Sequence, residues 1–94
     1  MIKVTEIVEV TRNGERKKLE EFTSLFRTED EAVDYIFECC KPVFAAILGD
    51  DADEGYVQSA YTELKNQVQH HVNTGKTVVL EGYVQVSFII ERRD

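Results

Sequence analysis

Two adjacent cysteines and two adjacent histidines are the side chains of this 94-residue chain that could act as nucleophiles or ligate a transition metal. A zinc site requires a spacing such as C-x2-C or a wider grid of cysteine and histidine, and adjacent pairs provide neither. Neighbouring cysteines rarely form a disulfide, because its geometry is strained. We therefore predict packing roles, no metal and no cofactor for Cys39, Cys40, His70 and His71. A small-molecule or metal site formed by Cys39, His70 and His71 between two packed helices stays open as a third hypothesis.

The acidic stretch from Asp50 to Gly55 invites comparison with a calcium-binding loop. With Gly55 at the sixth position of such a loop, Ala52 would occupy the third position and Tyr61 the twelfth, where a bidentate glutamate is required. The stretch therefore predicts no dedicated calcium site. The sequence also lacks the dinucleotide-binding, P-loop, nucleophile-elbow and HExxH motifs, so we expect a protein without enzymatic activity.

The charge of the chain is concentrated in one segment. The chain has 11 basic and 18 acidic residues, which gives a formal net charge of −7. Residues 28–54 hold nine of the acids and a single base, Lys41, whereas the rest of the chain has nine acids and ten bases. This balance argues against nucleic acid as a direct ligand, because phosphate binding needs clustered lysine and arginine. It favours docking to a basic protein surface, since an acidic patch accelerates such encounters and makes them selective.

The partner-binding residues predicted from this segment lie on the polar side of a helix and in the loop that follows it. They are Glu31, Asp34, Glu38, Asp50, Asp51 and Asp53. A nucleic-acid-binding enzyme is one partner class, since the carboxylates could occupy its cationic groove in place of phosphates. In size, acidity and lack of a catalytic motif, the chain resembles the small proteins with which phages and mobile elements inhibit host enzymes. The leading functional hypothesis is an inhibitor or regulator of this kind.

Alternation of polar and apolar residues over positions 2–11, followed by Asn-Gly at 13–14, predicts a β-hairpin with a type I′ turn. This turn creates two favourable cross-strand charge pairs, Arg12 with Glu15 and Glu9 with Lys18. The same register would place Glu6 opposite Glu21 on the apolar face. That conflict predicts either a β-bulge within the hairpin or a ribbon end that is open to water.

Two helices are predicted after the hairpin. Thr28 is the expected N-cap of the first helix, and Asp53 is the expected N-cap of the second. Gly49 and Gly75 are the expected stops. Pro42 lies inside the first helical pattern, so we expect it to kink or split that helix.

Two-residue alternation returns from Thr77 to Glu91, and the apolar residues keep one parity on both sides of Gly82. Unbroken parity favours one long strand bent at Gly82 over a hairpin. The element order is therefore ββααβ. The predicted fold is a single small α+β domain over residues 1–94, with two helices packed on one face of an antiparallel sheet.

The other face of this sheet should expose apolar residues that no predicted element covers. They are Ile7, Phe22, Phe26, Val79, Tyr83 and Ile89. A symmetric homodimer through this face, or through an edge strand without proline, would cover them. The second functional hypothesis is therefore a structural or assembly protein that forms a homo-oligomer, with Ile7, Phe22 and Tyr83 in its interface.

The N-terminal residues contain neither the apolar segment nor the cleavage site of a secretory signal peptide. The longest apolar run, at residues 42–48, is far too short to span a membrane. Adjacent cysteines that stay reduced are typical of cytosolic chains. We therefore expect a cytoplasmic protein that does not contact membranes.

Overall fold

The computed structural model describes residues 1–82 and 84–93, which form four strands and two helices. In chain order these are β1 (Ile2–Arg12), β2 (Glu15–Phe26), α1 (Glu29–Leu48), α2 (Glu54–Thr74), β3 (Val78–Leu80) and β4 (Val84–Arg92). The strands form one antiparallel sheet in the order β2-β1-β4-β3. The predicted α+β fold class is confirmed.

The first hairpin turns at the predicted Asn-Gly pair. Asn13 and Gly14 both have positive φ values, 53° and 78°, as a type I′ turn requires. The two predicted charge pairs, Arg12 with Glu15 and Glu9 with Lys18, face each other across β1 and β2. The register then shifts between Val8 and Glu9, so Leu19 is an extra residue in β2. The predicted β-bulge is confirmed.

The bulge removes the conflict at Glu6. Because β2 gains one residue, Phe22 rather than Glu21 lies opposite Glu6. The Glu6 carboxylate then accepts a hydrogen bond of 3.1 Å from the hydroxyl of Tyr35 on α1. A carboxylate on the helix-facing side of the sheet is therefore satisfied by a polar partner rather than left unpaired.

Both helices begin at the predicted caps. The Thr28 hydroxyl accepts from the Glu31 backbone N–H at 3.2 Å, and the Asp53 carboxylate accepts from that of Tyr56 at 3.3 Å. α2 ends at Gly75, whose left-handed backbone (φ 68°, ψ 27°) allows its N–H to reach carbonyls of the last turn. Neither helix is long and apolar enough to cross a membrane.

α1 continues through Pro42 as one helix, so of the two predicted alternatives, a kink or a split, the split is wrong. Proline removes one backbone donor from the helix, but side chains on both sides of it pack on the same core. Phe37 and Cys40 precede Pro42 in this contact, and Val43 and Phe44 follow it. Tertiary packing of one apolar face therefore outweighs the local preference of a single residue.

The last segment is a hairpin, so the prediction of one long strand bent at Gly82 is wrong. β3 pairs antiparallel with β4, with Val78 opposite Phe88 and Leu80 opposite Val86. Each of these pairs joins two even-numbered residues. A hairpin of this register keeps the parity of its apolar face through the turn, and parity alone therefore cannot distinguish it from a continuous strand.

The core lies between the two helices and one face of the sheet. It contains residues from every element except β2: Ile2, Val4, Ala32, Val33, Ile36, Cys40, Leu64, Val68, Val72, Val78, Val86, Phe88 and Ile90. Arg92 links the end of β4 to both helices. Its guanidinium donates to the Val72 and Asn73 carbonyls of α2 and forms an ion pair with Glu29 of α1. The layers of the fold are thereby fixed relative to one another.

Candidate functional site

The predicted acidic residues form an elongated surface rather than a compact cluster. Glu31, Asp34 and Glu38 lie exposed on α1, and Asp50, Asp51 and Asp53 lie exposed in the loop between α1 and α2. A helix rises 1.5 Å per residue, so the helix carboxylates span roughly 10 Å and the acidic loop begins roughly 25 Å along α1 from Glu31. We call this set of six residues the acidic surface. Its shape suits an extended protein contact better than a small ligand.

Two lysines neutralise the middle of the acidic surface. The Lys41 Nζ lies 3.0 Å from Glu38 Oε1, and the Nζ of Lys65 on α2 lies 3.9 Å from Asp34 Oδ1. The two ammonium groups also lie 5.0 Å and 5.6 Å from the ring centroid of Phe37, a favourable cation–π geometry. The sequence alone does not reveal the position of Lys65, because only the packing of α2 against α1 brings it to the acidic surface.

The loop end of the acidic surface keeps its negative charge. Among the described residues, no lysine or arginine nitrogen lies within 4.0 Å of Asp50, Asp51 or Asp53. Asp53 also has a structural task, since its side chain caps α2. Asp50 and Asp51 are therefore the acidic residues that are most available to a partner.

An apolar groove lies along the C-terminal half of α1, the end of the helix that leads into this loop. It has a volume of about 480 Å³ and is lined by Pro42, Val43, Ala46, Ile47, Gly82 and Val84. The Ile47 side chain is 52% exposed, and it precedes Asp50 by three residues in the chain. The groove cannot be recognised in the sequence, because it forms only where α1 meets the β3–β4 connection. An apolar groove at the end of α1 that leads into an acidic loop combines the two features of a protein-binding site, an apolar centre and a charged rim.

The predicted oligomer-interface residues do not share one surface. Ile7 lies opposite Glu21 on the sheet face without helices, whereas Phe22 lies opposite Glu6 on the helix side. Phe26 is also on the helix side, where its ring lies 5.1 Å from that of Tyr35. Placing Phe22 and Phe26 on the uncovered face was wrong, because the bulge at Leu19 reverses the parity of β2. Tyr83 lies outside the described residues.

The uncovered face retains a small apolar patch. Ser87 lies between Val79 of β3 and Ile7 of β1, and Ile89 is its neighbour along β4 on the same face. Val79 and Ile89 are exposed. Charged residues of β1 and β2, including Lys3, Glu9 and Glu21, lie on the same face and limit the extent of this patch. The face is therefore mixed in polarity.

The thiols are poorly placed for nucleophilic chemistry. Cys40 is 0% exposed in the core, and burial raises the pKa of its thiol to about 12. Burial, followed by the nearby Glu6 carboxylate, also raises the pKa of Cys39 above its ordinary value. Because the thiolate is the reactive form, both side chains are held as weakly reactive thiols at neutral pH. These surroundings favour the predicted packing roles.

The histidines lie at the C-terminal end of α2. His71 Nδ1 lies 3.0 Å from the Thr77 carbonyl oxygen, a contact that links α2 to the start of β3. His70 is exposed, and its ring centroid lies 6.2 Å from that of His71. In the part of the chain that the structure describes, no group of three or more His, Cys, Asp or Glu side chains could hold a metal ion.

Comparison of the chain with protein-family models, with curated proteins and with solved structures found no match. Function is therefore inferred from the exposed chemistry of the described residues. The most prominent features are the acidic surface with its apolar groove, the small apolar patch on the uncovered sheet face, and the long exposed strand β2.

Proposed function

We propose that this protein is a non-enzymatic binding module, an inhibitor or regulator that docks a basic protein surface through its acidic surface. The observation that carries this proposal is the combination of unpaired carboxylates with an apolar groove at the same end of α1. Asp50 and Asp51 supply the charge, and Ile47, three residues before Asp50 in the chain, supplies an exposed apolar side chain. A partner with lysine or arginine around a protruding apolar side chain would complement this site.

Each part of the site has a different energetic role. Carboxylates at the rim of an interface mainly accelerate encounter and exclude partners of the wrong charge, and salt screens their effect. An apolar anchor buried in a groove contributes more of the affinity and slows dissociation. Asp34 and Glu38 contribute less to the long-range field, because Lys65 and Lys41 lie beside them. A nucleic-acid-binding enzyme with a cationic groove is one partner class that would present such a surface.

Charge reversal at the loop tests the proposal. The Asp50→Lys/Asp51→Lys variant should bind a partner that has been captured from a cell lysate at least about tenfold more weakly than the wild type at low salt. The variant should also lose most of the salt dependence of binding. Isothermal titration calorimetry or surface plasmon resonance at two salt concentrations measures both effects. Asp34→Lys/Glu38→Lys should weaken binding less, because in the wild type those carboxylates are already paired.

A matched control separates the acidic surface from net charge. Glu15→Lys/Glu63→Lys makes the same change in total charge at exposed positions outside residues 28–54 and away from the groove. We expect this variant to bind the partner almost as well as the wild-type protein. If the control and the loop variant lose equal affinity, net charge governs binding and the proposed site is wrong.

The apolar patch on the uncovered sheet face favours a second candidate function, that of an assembly protein forming a homo-oligomer. Ile7, Val79 and Ile89 surround the small Ser87 there, and a second molecule could bury all three. Here the carboxylates of the acidic surface would serve mainly solubility.

Charged substitutions on this patch test the second candidate. Val79→Lys/Ile89→Lys should turn an oligomer into a monomer in light scattering at high protein concentration, whereas Ser59→Lys/Thr62→Lys on the exposed side of α2 should not. Thermal melts of both variants establish that they are folded. A wild-type protein that stays monomeric at the highest concentration reached would exclude this function.

A further inference from the structure

Strand β2 presents a long, unpaired backbone edge. It has 12 residues and pairs only with β1, because it is the outermost strand of the sheet. Residues 15–23 are all exposed. The opposite edge of the sheet is β3, which has only three residues. A long exposed edge is a template for pairing with another strand, so β2 is the edge at which a partner strand can add.

The charges along β2 are arranged in two blocks of opposite sign. Arg16, Lys17 and Lys18 come first, and Glu20 and Glu21 follow after Leu19. Two such strands that run antiparallel about a two-fold axis between Lys18 and Leu19 place Lys17 opposite Glu20 of the second copy. The same axis brings Arg16 level with Glu21 of the second copy, but within each chain Arg16 donates to Gln85 and the Lys18 Nζ lies 3.3 Å from Glu21. The charge complementarity of the edge therefore rests on Lys17 and Glu20.

The bulge gives these pairs a common side of the sheet. Lys17 lies opposite Val10 and Glu20 lies opposite Val8, so both are on the helix side. In a regular strand, residues 17 and 20 would point to opposite sides, because side chains alternate. Residues 16 and 21 share the uncovered face in the same way, opposite Thr11 and Ile7. The extra residue Leu19 is thus what allows opposite charges to meet across the axis.

From this geometry we infer that two copies of the chain associate through their β2 strands, which joins their sheets into one continuous eight-stranded sheet. Lysines on an edge normally discourage pairing, but here Lys17 meets Glu20 of the second copy, and Lys18 lies 3.3 Å from the Glu21 carboxylate of its own chain. Leu19 is 54% exposed and lies next to the axis, so it approaches Leu19 of the second copy. This interface is separate from the acidic surface, so a dimer would display two acidic surfaces.

Charge exchange at one pair of positions tests this dimer. Lys17→Glu alone and Glu20→Lys alone each place like charges opposite each other twice, so each variant should dimerise at least about tenfold more weakly than the wild type. An equimolar mixture of the two variants restores both attractive pairs. We therefore expect the mixture to form a heterodimer, and the double variant Lys17→Glu/Glu20→Lys to recover the wild-type dimer. Sedimentation equilibrium gives the affinities, and native mass spectrometry identifies the heterodimer by its mass.

Controls of equal charge distinguish the edge from other surfaces. Lys76→Glu and Glu63→Lys change exposed residues away from β2, and they should leave the dimer affinity unchanged. A wild-type protein that is monomeric at millimolar concentration would overturn the inference. It would equally be overturned if a wild-type dimer tolerated Lys17→Glu and Glu20→Lys separately. Neither outcome depends on the partner of the acidic surface, so this inference and the proposed function can fail independently.

Discussion

Replacing Phe88 with alanine should lower the free energy of unfolding by about 3–5 kcal/mol. Phe88 is 0% exposed and is the largest fully buried side chain of the protein's described residues. It lies in β4, between Val78 of β3 and Glu6 of β1, under the two helices. Truncation removes the transfer energy of the ring and leaves a cavity that a rigid sheet cannot close.

Urea denaturation followed by circular dichroism measures this loss, and the next residue in β4 provides the control. Ile89 points to the uncovered face and is exposed, so Ile89→Ala should cost only about 1 kcal/mol. Similar losses for the two variants would contradict the assignment of the core to the helix side of the sheet.

The folded protein should lose stability as the pH rises from about 9 to about 12. Burial raises the pKa of the Cys40 thiol from 9.0 to about 12 and that of the Tyr35 hydroxyl from 10.0 to about 12. The unfolded chain therefore releases these protons at a lower pH than the folded chain does. Their contribution to stability is complete below pH 9 and declines as the pH approaches 12. For Cys40, the loss between pH 9 and 11 is on the order of 2 kcal/mol.

Urea titrations at a series of pH values between 8 and 11 test this dependence. Cys40→Ala should be less stable than the wild type at pH 8, because it truncates a core side chain, but its stability should fall less steeply with pH. Tyr35→Phe should flatten the upper part of the curve. Parallel curves for wild type and Cys40→Ala would show that the buried thiol is not the group that titrates.

Local sequence signals predicted the ends of most elements. Asn13 and Gly14 define the first turn because few other residues adopt positive φ at both positions. Thr28 and Asp53 begin the helices because their side chains satisfy backbone donors that have no partner within the helix. Such interactions involve neighbours within three residues, and they can be recognised without knowledge of the tertiary structure.

The errors concern features that the whole sheet decides. The clash expected at Glu6 predicted a bulge, but not that Leu19 would be the extra residue or that Phe22 would move to the helix side. Parity could not reveal the turn between β3 and β4, because that register preserves it. A single inserted residue thus moves every later side chain of a strand to the other face of the sheet. A hairpin turn of suitable length, in contrast, leaves the alternation of apolar residues unchanged.

The candidate site was predictable only in part. The excess of acids in residues 28–54 is visible in the sequence, and all six predicted carboxylates are exposed. The neutralising position of Lys65 and the groove beside Ile47 depend on contacts between elements distant in the chain. Because of those contacts, the loop after α1, rather than the middle of α1, is the part of the acidic surface that has no lysine beside it among the described residues.

Capture of a partner at two salt concentrations tests the proposed function most directly. The tagged protein and its Asp50→Lys/Asp51→Lys variant are incubated with a lysate of the cells that encode it, and bound proteins are identified by mass spectrometry. We predict one stoichiometric partner with a basic surface, retained by the wild type at low salt and lost both at high salt and by the variant. A partner that binds both proteins equally at both salt concentrations would contradict the assignment of the acidic surface as the binding site.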